Sequence, residues 1–225
     1  MVTLYIVRHG KTMFNTIGRA QGWSDTPLTQ EGEAGIHALG RGMKEAGLTF
    51  DRAYSSDSGR AIQTLGIILE EMDLEGEIPT RYEKQIREWC FGSFDGAYGG
   101  ELFRGVIPRV LDTDNYKDLT LAELADGIYE VDTAGWAEPW SVLSERIVAG
   151  FTKIAEEVET AGQESAVVVS HSMTIGSFVN LIEPSIVLNP SVENGSVTKV
   201  SYKDGVFTLE DLGNTDYRDR GFQNF

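Results

Sequence analysis

The amino-acid sequence predicts an α/β protein, a three-layer sandwich with a mainly parallel central sheet, helices on both faces and an inserted lid region. Three observations carry that expectation. Leu4-Tyr5-Ile6-Val7 and Ala166-Val167-Val168-Val169 are short apolar, β-branched runs, the composition of strands buried on both faces. Amphipathic helical stripes alternate with such runs, as they do where helices cover a parallel sheet. A chain of 225 residues also suits one domain, here expected over 1–225 with a lid at about 92–135.

The first strand should cover about 3–8 and yield to a loop holding Gly10, Gly18, Gly22 and Pro27. Thr29 stands where an N-cap would, with Glu31 in the first turn. Ile36, Leu39 and Met43 then recur at three- and four-residue spacing until Gly47, which predicts a helix packed on the sheet. A short strand around Ala53-Tyr54-Ser55 should run into a second helix carrying Ile62, Leu65, Ile68, Leu69 and Met72, capped by Asp57 or Ser58. Arg60 thus falls in a helix's first turn. Residues 92–135 keep no sustained period and are rich in glycine and aromatic residues, as expected of a lid or an insertion with short helices of its own. Trp140, Leu143, Ile147, Phe151, Ile154 and Val158 form the clearest helical stripe, closed by Gly162 before the strand that ends at His171. Segments 197–202 and 206–212 flank Lys203-Asp204-Gly205, a hairpin signal.

Charge and cysteine usage narrow the function classes. With 19 Lys+Arg against 35 Asp+Glu, the net charge of −16 opposes attraction to nucleic acid or anionic membranes, and neither partner is expected. No apolar run approaches the roughly 20 residues that span a bilayer. The single cysteine, Cys90, excludes an internal disulfide framework, and the N-terminus lacks a basic stretch followed by a long apolar one, so a cytoplasmic location is expected. An anionic substrate would have to be captured by a local arginine cluster.

Two of the three histidines, His9 and His171, directly follow apolar strands, and in open parallel sheets such strand ends feed the ligand crevice. Arg8 and His9 can share one site only if the chain leaves strand geometry, which Gly10 permits. A guanidinium fork beside an imidazole suits a phosphoryl group, the fork binding oxygens while the ring nitrogen attacks phosphorus. Alone, the pair fits a solvated strand end equally well. Arg60 and His171 shift the balance, because each opens a helix where unpaired N–H groups and the helix dipole favour an anion. Competing motifs fail: Gly96 stands where a cysteine-phosphatase loop begun by Cys90 needs arginine, Asp112-Thr113-Asp114 follows no strand, and Gly40-Arg41-Gly42 lacks a third glycine. His37 falls within a helix, Asn194-Gly195-Ser196 reads as a turn, and no paired-ligand spacing points to a metal.

Further residues extend the pattern: Arg8-His9-Gly10-Lys11-Thr12-Met13-Phe14-Asn15, Gln21-Gly22-Trp23, Asp25-Thr26-Pro27-Leu28-Thr29, Ser55-Ser56-Asp57-Ser58-Gly59-Arg60-Ala61 with Thr64, Arg87-Glu88 with Phe91-Gly92 and Gly96, and Ser170-His171. Together they resemble the histidine phosphatase superfamily, in the branch of cofactor-dependent phosphoglycerate mutases and their broad-specificity phosphatase relatives. The resemblance covers roughly 3–97 and 140–180. It implies that His9 is the nucleophile that becomes phosphohistidine, that Arg8, Arg60 and His171 hold the phosphate, and that Glu88 gives a proton to the leaving oxygen. Thr12, Asn15, Gln21, Gly22 and Ser172 are expected around the substrate. Glu88 would need a raised pKa, expected from desolvation under an aromatic lid.

Three departures from the family pattern, Lys11, Phe94-Asp95 and Ser172-Met173, alter the pocket edge while leaving the phosphoryl-transfer groups in place. Arg87-Glu88-Trp89-Cys90-Phe91-Gly92 resembles the phosphatase side. The expectation is therefore a phosphatase of small phosphomonoesters that uses no metal or other cofactor, its partner a small phosphorylated metabolite. A mutase on the same chemistry is the alternative, a non-catalytic phospho-ligand binder the less favoured one, and a homodimer stays open.

Overall fold

A computed structural model describes residues 1–186 and 192–223. Among them six strands form one sheet: β1 (Val2–Arg8), β2 (Arg52–Ser55), β3 (Thr80–Tyr82), β4 (Ser165–Ser170), β5 (Val197–Lys203) and β6 (Val206–Asn214). Their order is β3-β2-β4-β1-β5-β6. The pairs β3–β2, β2–β4 and β4–β1 run parallel, whereas β5 is antiparallel to β1 and to β6. Ile6 and Tyr54 both pair with Val168, so β4 lies between the two strands that lead to Arg8 and Ser55.

The period of two along each strand divides the core. Val2, Leu4 and Ile6 face one side with Tyr54, Ala166, Val168 and Val200. Val7 faces the other with Ala53, Val167, Val169 and Val197. On that second face lie α2 (Gln30–Glu45), contributing Ile36, Leu39 and Met43, and α3 (Gly59–Glu71), contributing Leu65, Ile68 and Leu69. The first face is covered by α6 (Trp140–Thr160) and α7 (Ser172–Ile182), where Phe151 stacks on Phe178 at 4.2 Å. The expected sandwich is the one observed, and Thr29 caps α2 by accepting from Gly32 N–H. The hairpin turn places Asp204 and Gly205 at φ 52° and 83°, the left-handed pair a tight two-residue turn demands.

Several elements go beyond the sequence expectation. β3 is a short, fully exposed edge strand with no apolar alternation to announce it. Within the expected first loop, Thr12 caps the one-turn α1 (Met13–Ile17) through a reciprocal capping box with Asn15. In the 92–135 region, a π-helical stretch at Glu101–Val106 leads into α4 (Ile107–Val110), and α5 (Leu121–Val131) follows. The reading of no sustained period is corrected for α5. Thr120 and Glu123 form a capping box, and Leu124, Ala125 and Ile128 join the core of Leu143 and Ile147. Finally, α8 (Asp216–Gln223) lies on α2 at backbone contact. A Cβ on Gly42 would come within 1.8 Å of Tyr217 O, and one on Gly221 within 1.8 Å of Ala38 O.

Candidate active site

The ends of β1, β2 and β4 bring Arg8, His9, Arg60 and His171 to one place. Arg60 sits in the first turn of α3, whose N-cap residue Ser58 makes no side-chain cap bond. Asp25, from the loop before α2, accepts from Arg60 N–H at 3.4 Å and from its Nη1 at 2.8 Å. The guanidinium is fully buried. Nη1 also donates to Ser24 O at 3.0 Å, Nη2 to Gly22 O at 2.8 Å and His171 Nδ1 at 3.0 Å, and Nε to His9 Nε2 at 3.3 Å. Every nitrogen of the fork is thus directed, and a buried cation persists only with such partners.

Those contacts assign both imidazole tautomers. His9 Nδ1 lies 2.8 Å from Gly10 O, which can only accept, while arginine can only donate to Nε2. His9 therefore carries its proton on Nδ1 and presents the Nε2 lone pair. His171 is the reverse: Nδ1 accepts from Arg60, and Nε2 donates to Ser56 Oγ at 2.6 Å. The ring centroids are 5.2 Å apart. Burial, reinforced by the Arg60 and Arg8 charges, holds both histidines well below their ordinary pKa of 6.5, so both are neutral near pH ~7. Gly10 is required here by packing, since a Cβ would stand 2.8 Å from Ile36 Cγ1 and 3.2 Å from Gly32 O.

Arg8 is half-buried. Its Nη1 donates to Val192 O at 2.6 Å, whereas its Nε is buried with no partner among the described residues. Burial pushes the guanidinium down to about 10, Glu88 opposing and Arg60 adding to the fall, which leaves it a cation at neutral pH. Ser172 Oγ, one residue past His171, is a second buried polar atom without a partner. An unmet buried donor costs about 1–3 kcal/mol, and these two belong to the residues next to His9 and His171 in the chain.

Glu88 is buried against the N-terminus of α7. Its Oε1 accepts from Thr174 N–H at 2.9 Å and Trp89 N–H at 3.1 Å and lies 3.1 Å from Thr174 Oγ1, whose one proton goes to Arg87 O at 2.7 Å; its Oε2 accepts from Met173 N–H at 3.2 Å. The donors that hold this carboxylate are thus backbone amides, two of them from the first turn of α7. Its backbone is held from both sides, Glu88 O accepting from Trp23 Nε1 at 3.0 Å and Arg146 Nη2 at 3.4 Å. Neighbouring Arg87 turns away, forming a two-pronged pair with Asp57 at 2.6 and 2.6 Å and lying 4.8 Å over the Trp23 ring.

The remaining expected residues line or support the site. Asn15 Oδ1 accepts from Thr12 N–H at 3.2 Å and from Asn194 Nδ2 at 3.3 Å. Thr12 Oγ1 donates to Gln21 Oε1 at 2.6 Å, and Gln21 Nε2 to Thr26 Oγ1 at 2.9 Å, so both side chains are spent on the scaffold. Gly22 gives its N–H to Asp95 and its carbonyl to Arg60. Sequence reasoning gave no site role to Asp25 and Ser56, which it quoted within motifs, named Asp95 only at the pocket edge, and missed the parts played by Arg146, Thr174 and Asn194. Asp95 accepts from the N–H groups of Gly22, Trp23, Ser24 and Phe91, bracing the loop whose carbonyls hold Arg60. Its place in Phe94-Asp95 was the only signal. Among the described residues no group of three or more His, Cys, Asp or Glu side chains could hold a metal ion, and no helix is long and apolar enough to cross a membrane.

Residues 4–215 match the model of the histidine phosphatase superfamily (branch 1). A crystal structure of phosphoglycerate mutase from Bacillus anthracis str. Sterne is similar at 36% identity, over 98% of this chain and 96% of that one, with a TM-score of 0.92. Phosphoserine phosphatase from Entamoeba histolytica, in complex with 3-phosphoglyceric acid, aligns at 22% identity over 94% and 96% of the two chains, with a TM-score of 0.70. Mycobacterial glucosyl-3-phosphoglycerate phosphatase aligns at 20% over 95% and 100%, also with a TM-score of 0.70. At these last two identities the likeness is one of fold.

Proposed function

The chain belongs to the histidine phosphatase superfamily, and from that premise we propose that it hydrolyses small phosphomonoesters through a phosphohistidine on His9. The observation that carries the reading is the fixed tautomer of His9, whose Nε2 lone pair meets the Arg60 guanidinium, with unmet donors, Arg8 Nε and Ser172 Oγ, on the residues next to the two histidines. A phosphate monoester dianion would satisfy those donors and take over the Arg60 Nε and Nη2 donors that now rest on His9 and His171, which releases the His9 Nε2 lone pair for attack. Positive charge around the transferring oxygens is the main demand of phosphoryl transfer, and the arginines supply it in a dry site, so no metal is required of this reading.

In the first step His9 Nε2 attacks phosphorus, the ester P–O bond breaks, and protonated Glu88 gives its proton to the departing oxygen. In the second, Glu88 takes a proton from water, the resulting hydroxide attacks phosphorus, and the P–N bond breaks to return free His9. Oε1 of Glu88 is engaged by two backbone N–H donors and Oε2 by a single 3.2 Å contact, so Oε2 is the oxygen that exchanges the proton. The 92–135 region closes the site as a lid in this reading. Rapid quenching under alkali, which preserves phosphohistidine, followed by peptide mass analysis tests it: the label should sit on His9, and label elsewhere, or none in a single turnover, overturns it.

A second reading is a mutase that returns the phosphoryl group to a bound phosphorylated acid. It draws on the 36% identity to the Bacillus anthracis mutase over nearly both full lengths. The phosphatase reading rests on the Arg87–Gly92 stretch and predicts that phosphate release from a good monoester greatly exceeds isomerisation of phosphoglycerate; the reverse ratio selects the mutase.

A further inference from the structure

The turn at 193–196 and the C-terminal helix α8 are not among the elements to which phosphoryl transfer was assigned, yet the turn is tied to the ends of β1 and α1, and α8 is tied to the turn. We propose that Asn194 and Arg218 are positioning residues of the phosphoryl site, Asn194 orienting His9 and Asn15, and Arg218 holding Asn194 from α8. The proposal rests on His9 being the phosphoryl acceptor.

The peptide between His9 and Gly10 is gripped at both ends. Its N–H donates to Thr64 Oγ1 at 2.9 Å, and its carbonyl, His9 O, accepts from Asn194 Nδ2 at 2.8 Å. The next carbonyl, Gly10 O, accepts from His9 Nδ1 and so selects the tautomer that frees Nε2. Asn194 thus acts two bonds upstream of the nucleophile's orientation. The same Nδ2 donates to Asn15 Oδ1, which also accepts from Thr12 N–H. With its oxygen held by two donors, the Asn15 amide cannot flip, and its NH2 faces away from both.

Asn194 needs a support of its own, because it lies in a turn. Gly195 has φ +71°, and its N–H donates to Arg8 O at 2.9 Å, while Arg8 N–H donates to Ser196 O at 3.2 Å. Arg218 completes the grip from the far side: Nη1 donates to Asn194 O at 2.8 Å and Nη2 to the Glu193 carboxylate at 3.1 Å. Its Cδ lies 3.6 Å from where a Gly195 Cβ would be. Because α8 is seated on α2 through Gly42 and Gly221, Arg218 reaches the turn from a fixed base.

The test is a double-mutant cycle read in the phosphorylation step, with p-nitrophenyl phosphate as the probe. Asn194→Asp keeps the shape but sets an oxygen against His9 O and Asn15 Oδ1; the rate of phosphohistidine formation should fall about 10²-fold, the cost of a small misplacement of reacting groups. Arg218→Ala should lower it about tenfold with KM little changed, and Arg218→Lys, which can still donate to Asn194 O, should recover part of that loss. Because Arg218 acts through Asn194, the double variant should be no slower than Asn194→Asp alone. Rates at the wild-type level in folded Asn194→Asp and Arg218→Ala, or losses that multiply in the double variant, overturn the proposal. If Asn194→Asp fails to fold, Arg218→Ala, altered at a side chain partly open to solvent, carries the same decision against Arg218→Lys. A wild-type protein that forms no phosphohistidine refutes the proposed function itself; a wild type that labels beside variants that label equally fast refutes only this relay.

Discussion

Glu88→Gln separates acid catalysis from the other work of the site. The structure fixes how the amide must sit: its oxygen takes the Oε1 position, where Thr174 N–H and Trp89 N–H donate at 2.9 and 3.1 Å. The NH2 then faces Met173 N–H, which now donates to Oε2 at 3.2 Å. One N–H loses its acceptor, a cost of about 1 kcal/mol where the group is only partly buried. For a chain of this size that lowers Tm by roughly 2–4 °C, so the variant should fold. The kinetic effect is larger. Removing the proton donor should slow release of a poor alkoxide by ~10²–10⁴, or about 2.7–5.4 kcal/mol of barrier. An aryl ester such as p-nitrophenyl phosphate needs little protonation and should lose far less. Because Glu88 is also assigned to activating water, the comparison belongs in the pre-steady-state burst of leaving group, which reports the first transfer alone. Equal slowing of alkyl and aryl esters in that burst, with the fold intact, would refute Glu88 as the acid.

Arg60→Lys retains the charge but replaces the fork, which now reaches Asp25, Ser24 O, Gly22 O, His171 and His9, with three donors on one nitrogen; kcat should fall by ~10²–10³, and a folded variant within about threefold of wild type would count against Arg60 as the anchor. Burial and the two arginine charges depress the pKa of His9 and His171 below 6.5 in the folded state only, so below that pH the unfolded chain binds more protons. Their contribution to stability is therefore present above about pH 6.5 and is lost as pH falls through the folded-state values, and ¹⁵N spectra of the side chains should keep both rings neutral below 6.5. A ring that titrates at the ordinary histidine value contradicts the assigned burial. Activity should survive exhaustive EDTA, and a loss restored only by a divalent ion would favour a metal-dependent hydrolase.

The apolar, β-branched runs and the three- and four-residue stripes by themselves determined the sheet's parallel core, the helices α2, α3 and α6, and the C-terminal hairpin, because burial on one face imposes a period that is local to each element. The same local logic put Arg8, His9, Arg60 and His171 at strand ends and helix starts. What lay beyond the sequence was who holds whom. Asp25 caps α3 in place of its own Ser58, Asp95 braces the carbonyls around Arg60, and Asn194, read as a mere turn residue, grips the His9 carbonyl. Such partners are side chain to backbone, separated by 35, 73 and 185 positions, and carry no periodicity. Glu88 shows the difference most directly: its place after Arg87 was legible, but only the docking of α7 decided that helix amides would donate to its carboxylate. Tertiary packing chooses these contacts because a buried polar group must find a partner wherever the fold supplies one, whatever its distance along the chain.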